Sequence, residues 1–92
     1  MDEITVEGFL VCADAAQADV VARHVGEHAR LSRAEPGCLS FEVLPTEDPL
    51  RFSVAERFTD AVAFAAHQER IAGSEWGRLT VGIRREYVVT GA

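Results

Sequence analysis

The chain contains no lysine and no asparagine, one tryptophan, one tyrosine and two cysteines. Each scarcity narrows the possibilities. All nine basic side chains are arginine, set against 15 acids for a net charge of −6. Nucleic-acid binding draws most of its non-specific affinity from clustered cations, so that class of partner is excluded. The missing lysine and asparagine are what a GC-rich genome would impose on tolerant surface positions. Cys12 and Cys38 are too few for a disulfide scaffold, and nothing beside them has metal-ligand spacing, so two buried free thiols and no metal are expected. No apolar run approaches the roughly 20 residues of a membrane span. The opening MDEITVEGFL carries acids where a secretory leader carries bases, which predicts a cytoplasmic protein with no membrane partner.

What is present is ordinary for one soluble domain over residues 1–92: 48% apolar and 26% charged side chains. Residues 4–12, ITVEGFLVC, alternate Ile4, Val6, Gly8, Leu10 and Cys12 against Thr5, Glu7, Phe9 and Val11, which predicts a strand. From Asp14 to Ala34 the period becomes helical, with Ala18, Val21, Val25, His28 and Ala29 as the stripe and Val20, His24 and Leu31 on its border. Asp14 is the expected N-cap, and Pro36-Gly37 the stop. A second strand over Cys38–Leu44 is expected to group Leu39, Phe41 and Val43, and PTEDP over 45–49 reads as a hairpin loop. A third strand, Leu50–Phe58, groups Phe52, Val54, Glu56 and Phe58. Thr59 or Asp60 caps a second helix with a stripe through Ala61, Phe64, Ala65, Gln68 and Ile71 and His67 at its edge. Ser74 caps a short turn carrying Trp76 and Leu79, and a fourth strand runs from Ile83 to Thr90 with Ile83, Arg85, Tyr87 and Val89 on one face.

The order βαββαβ predicts an α+β, ferredoxin-like fold: an antiparallel sheet with both helices on one face. The other face then carries Phe9, Val11, Leu44 and Val88 with no cover from its own chain. In so small a domain, pairing with a second copy would hide that surface, and a homodimer is expected.

EPGCLSFEV at 35–43, LRFSVAERFTD at 50–60 and AVAFAAHQERIAGSEWG at 61–77 together resemble the antibiotic biosynthesis monooxygenase family. The likeness spans residues 4–90 and rests most on Glu35-Pro36-Gly37-Cys38, Glu56-Arg57-Phe58, Asp60 and Ala66-His67. It implies a dimeric α/β barrel of ferredoxin-like subunits. For some members it also implies oxygenation of electron-rich aromatic polyketides or quinols by O2 without metal or flavin, and for others haem degradation. The catalytic sets of such enzymes generally include an asparagine. This chain has none, and Gly8 occupies about the place of the strand-one asparagine of the haem-degrading members. The expected activity is therefore cofactor-independent oxidation of a small aromatic substrate. A non-catalytic small-molecule-binding or pathway-accessory domain, and a cofactor-free isomerase or cyclase, stand beside it.

The candidate residues follow from chemistry. His67 suits a general base, since imidazole titrates near working pH, but it also suits a helix-edge histidine with a water or backbone partner. Trp76 and Tyr87 would stack on or hydrogen-bond a flat ligand, or simply fill the core. Glu56 is a carboxylate on an apolar face and must be paired, protonated or catalytic. Arg85 is the expected partner for it, reaching across side-chain-free Gly8, and is also a candidate substrate-binding group. A ligand pocket would be lined by Phe41, Phe64, His67 and Trp76. His24 and His28, four apart on one helix, have metal-ligand spacing but no third ligand, and Glu47 and Asp48 read as solvated loop acids. The EPGC turn reads as scaffold only, with chemistry expected later in the chain.

Overall fold

A computed structural model describes residues 2–91, so Met1 and Ala92, the ends of the expected 1–92 domain, lie outside the described residues. The elements run β1 (Ile4–Val11), α1 (Ala15–Arg33), β2 (Cys38–Pro45), β3 (Arg51–Phe58), α2 (Ala61–Ala72), α3 (Glu75–Leu79) and β4 (Arg84–Thr90). Every pairing is antiparallel and the strand order is β2-β3-β1-β4. This is the expected ferredoxin-like arrangement, with the sheet open at both edges. No helix among the described residues is long and apolar enough to cross a membrane.

Local chemistry accounts for the element ends. Asp14 accepts from Gln17 N, Asp60 from Ala63 N and Ser74 from Gly77 N, so each helix begins on a side-chain cap. Helix α1 stops at Arg33 with Ala34 as its C-cap, just before the Pro36-Gly37 pair. The covered face of the sheet presents Ile4, Val6 and Leu10 from β1 with Phe52, Val54 and Phe58 from β3. Val21, Trp76 and Ile83 close over them from above. Full burial of side chains this size contributes about 1.5–3 kcal/mol each.

Four expectations are corrected. Strand β2 does not alternate uniformly, because the register slips between Cys38 and Ser40. The extra residue is Leu39, which is 48% exposed, and the bulge puts Cys38 on the Phe41 side instead. Cys38 is half-buried and only Cys12 is a fully buried thiol. On α2 the fully buried side chain is His67, while Ala65 and Gln68 are exposed, so the histidine sits at the centre of the stripe and not at its edge. Ile83 packs into the core but precedes β4.

On the other face Phe9, Leu44 and Val88 are exposed and Val11 is half-buried. The Arg51 guanidinium lies over the Phe9 ring at 4.6 Å.

Candidate active site

Between the helices and the covered face lies a cavity of about 770 Å3. Strand parity delivers its floor: Val6 and Leu10 from β1, Phe41 and Val43 from β2, Glu56 from β3, and Arg85, Tyr87 and Val89 from β4. The roof is His28 from α1, Phe64 and His67 from α2, and Trp76 from α3. Gly8 keeps the floor low. Its φ is +154°, and a Cβ there would stand 1.9 Å from the Glu86 carbonyl oxygen. No larger residue, asparagine included, fits that position as the strands are paired.

The polar centre is an imidazole between two carboxyl groups. His67 Nδ1 lies 2.9 and 3.0 Å from the two Glu35 carboxylate oxygens, and its Nε2 is 3.6 Å from Glu56 Oε1. Glu35 is also paired with the Arg70 guanidinium, which donates in turn to Ser32 Oγ at 3.0 Å. A carboxylate held by arginine only accepts, so Nδ1 carries the proton and Nε2 is left as a lone-pair acceptor facing the cavity side of Glu56. Burial pushes the His67 pKa below its ordinary 6.5; Glu35 pulls it back and Arg70 adds to the depression. Burial raises Glu56 from 4.5 to about 7, with Glu35 adding to the rise and Arg85 opposing it. Near neutral pH the site therefore holds one imidazole base and one half-ionised carboxyl.

The walls are aromatic. The His28 ring stacks on Trp76 at 4.3 Å with an interplanar angle of 4°, and meets Phe41 nearly edge-on at 5.1 Å. Phe58 lies 4.8 Å from the His67 ring and 5.5 Å from Phe64. Burial lifts the Tyr87 phenol to about 12, against the pull of Arg85 and with a smaller push from Glu56, which leaves it a hydrogen-bond donor. Among the described residues, no group of three or more His, Cys, Asp or Glu side chains is placed to hold a metal ion.

A model of the antibiotic biosynthesis monooxygenase family matches residues 4–73, most of the chain. The chain belongs to that family. Its fold is shared by solved structures that bear the family's name. One from Nitrosomonas europaea superposes with a TM-score of 0.78 at 22% identity, covering 99% of this chain and 89% of its own. One from Bacteroides thetaiotaomicron gives 0.78 at 17% identity over 99% and 88%, and one from Deinococcus radiodurans 0.74 at 18% over 97% and 91%. At such identities the likeness is one of fold. No curated protein sequence matches the chain at a comparable level.

In this member of the antibiotic biosynthesis monooxygenase family all seven candidate residues, Phe41, Glu56, Phe64, His67, Trp76, Arg85 and Tyr87, line the one cavity. The expected Glu56–Arg85 pair does not form. Arg85 spends its Nη1 on the carbonyls of Thr80 and Ile83, at 2.7 and 3.0 Å, and its Nη2 on Thr80 Oγ1 at 2.8 Å. It straps the α3–β4 connection, and Glu56 is left facing His67. Helix-one spacing does not produce a metal pair either: His28 is in the cavity wall, whereas His24 is half-exposed and 3.5 Å from Glu75.

Sequence reasoning passed over Glu35. The turn that carries it docks on α2 because Gly37, at φ +87°, has no side chain: a Cβ there would meet Ala63 Cβ at 2.6 Å. Thr59 N donates to the Gly37 carbonyl at 2.8 Å, and this seats Glu35 against His67 and Arg70. The EPGC turn is therefore part of the polar centre as well as of the scaffold. No linear spacing joins Glu35 to His67, 32 residues away. A Glu beside a helix-stopping Pro-Gly was the one available hint.

Proposed function

We propose that this chain binds a small electron-rich aromatic of polyketide or quinol type and oxygenates it with O2, with no bound cofactor. The observation that carries the reading is the Glu35–His67 dyad, its free Nε2 directed at Glu56 in an aromatic-walled cavity. His67 and Glu56 act as proton carriers, Glu35 holds the His67 tautomer, and Trp76, Phe41 and Phe64 flank the ring. Tyr87, and the Arg85 N–H groups not spent on Thr80 and Ile83, supply donors to substrate oxygens.

The chemistry balances without an external reductant. A phenol with hydrogen on the ring carbon opposite its hydroxyl, or a quinol with hydrogen on the carbon next to it, gives the phenolic proton to His67 Nε2, and the anion forms in a site where water competes weakly. The anion adds O2 at that carbon, and the resulting peroxide takes the proton back from His67. Glu56 removes the ring C–H proton as the O–O bond breaks. Hydroxide leaves and collects that proton as water, and a ring carbonyl remains. Phenol plus O2 becomes quinone plus water, the substrate supplying every electron.

The same reading includes a homodimer joined through the open sheet face, a dimeric barrel in which Phe9, Leu44 and Val88 are covered. It also includes a cytoplasmic setting, consistent with two free cysteines. The absence of asparagine favours a second reading, ligand binding without turnover.

Oxygen uptake by metal-stripped protein with a panel of hydroquinones and polycyclic phenols, beside His67→Ala, decides between them. Uptake that depends on His67 is the expected result. Tight binding with no uptake above the variant would leave a binding domain, and isomerised product without uptake would leave proton shuttling alone.

A further inference from the structure

Helix α1 carries into the cavity a ring that the proposed chemistry does not use. His28 is 5% exposed, lies flat against Trp76, abuts Phe41 and stands 6.2 Å from the His67 ring. At this place on a buried stripe, phenylalanine would pack the same wall without a polar atom to satisfy. Yet His28 Nδ1 is shut off from solvent and has no hydrogen-bond partner among the described residues. Buried polar groups are nearly always matched, and each exception calls for an explanation.

Nδ1 is sealed from the cavity as well, but the ring lines the cavity and no group among the described residues bonds its other nitrogen, Nε2, so the cavity's occupant is the partner left for that atom. The contrast with His67 is informative. Glu35 fixes the tautomer of His67, but nothing at Nδ1 fixes that of His28. His28 Nε2 can therefore meet a ligand as donor or as acceptor without the ring leaving its stack, matching a hydroxyl in a substrate or a carbonyl in its oxidised product. It does so uncharged, since burial, with His67, Arg70 and Arg85 adding, holds its pKa down to about 3.

Resting on the reading of the cavity as an aromatic-binding site, the geometry points to His28 as its second polar contact. The ligand class is an aromatic that carries oxygen at two positions, one met at His67 Nε2 and the other by the His28 ring. His28 is thereby a specificity-determining residue, held in place by its stack on Trp76.

The test uses dihydroxynaphthalene and naphthol under nitrogen, with binding read as quenching of Trp76, the single tryptophan. His28→Phe, which keeps a flat ring against Trp76, is expected to weaken dihydroxynaphthalene by about tenfold and to leave naphthol within about twofold. His28→Gln, which restores a donor and an acceptor, is expected to recover part of the loss. Unchanged affinity for dihydroxynaphthalene, or an equal loss for both probes, overturns the inference alone. Failure of the parent protein to bind either probe overturns the aromatic-site reading and this inference with it. If His28→Phe does not fold, the ring nitrogens of the unmodified chain are followed by proton–nitrogen correlation spectra. A displaced His28 signal with dihydroxynaphthalene but not with naphthol is expected, and an unmoved one overturns the inference.

Discussion

The two faces of the sheet are made by the same four strands, often by adjacent residues, and they treat charge in opposite ways. On the open face Glu86 is paired with both Arg51 and Arg84, at 2.8 and 2.6 Å. On the covered face Glu56 has no arginine within salt-bridge distance among the described residues, is 7% exposed and is pushed up to about 7. Neither residue type nor strand decides this. Parity does, by placing one carboxyl where water and guanidinium groups reach it and the other under a helix, with an imidazole as its partner within salt-bridge distance. The lesson is that a glutamate becomes a candidate proton carrier by being denied its ordinary partner.

The largest expected effect lies on the covered face. Removing the imidazole with His67→Ala should lower kcat/KM for any turned-over phenol by about 10²–10⁴, the usual worth of a positioned acid–base group. Glu35→Gln should cost less and act mainly on the pH profile, since an amide oxygen still accepts from Nδ1 without the charge. An equal loss for Ala at 67 and Gln at 35, with no change in pH profile, would collapse the distinction drawn between a reacting group and a positioning one.

Next in size is a break of the open face. Leu44 is 50% exposed in the isolated chain, and in the proposed dimer its side chain is buried. Leu44→Arg would put a charge there without a partner, so sedimentation should show the dimer weakened by about a hundredfold or more, with secondary structure retained. A parent protein that sediments as a monomer at every concentration would remove the dimer outright.

How much of this was legible beforehand depended on the range of the signal. Period-2 and period-3.6 patterns and the caps Asp14, Asp60 and Ser74 are local, and they placed every element. The bulge at Leu39 broke the alternation in β2 because a single inserted residue leaves no mark in composition. The His67 stripe was misjudged because histidine does not count as apolar, although on α2 it is the most buried side chain. The candidates from β3, α2, α3 and β4 met in one cavity because strand parity and the helix stripes carry them there. Glu35 and the Arg85 strap escaped detection for a different reason. Both depend on where a turn docks after the sheet has formed, and two residues that meet only through tertiary packing share no pattern in the chain.

A smaller effect, with a sign that separates the faces, comes from Glu56→Gln. The folded-state pKa of about 7 lies above the ordinary 4.5, so between these values the folded chain binds more protons than the unfolded one. Stability attributable to Glu56 therefore falls as pH rises through that window, and the deficit is complete above it. Glutamine cannot ionise. Urea titration should find Glu56→Gln more stable than the parent by about 3 kcal/mol near pH 8 and indistinguishable near pH 4. His28, held down to about 3 from 6.5, works the other way, with stability lost as pH falls below 6.5, but it is common to both proteins and cancels in the difference. A constant difference at all pH values would mean that Glu56 is not perturbed by its face of the sheet.

The smallest expected effect is the matching change on the open face, Glu86→Gln. Its two arginine partners are exposed to about 38% and 72%, so solvent already screens both contacts. Losing them should cost no more than about 1 kcal/mol, a cost that shrinks as salt is raised. Arg51 is the complication, because it also lies over Phe9 and its Nε is buried without a partner. Freed from Glu86, that guanidinium can settle further over the ring, which offsets part of the loss. A salt-independent cost of several kcal/mol would mean that the Arg51–Glu86 contact is desolvated, as it would be if a second sheet already covered this face in solution.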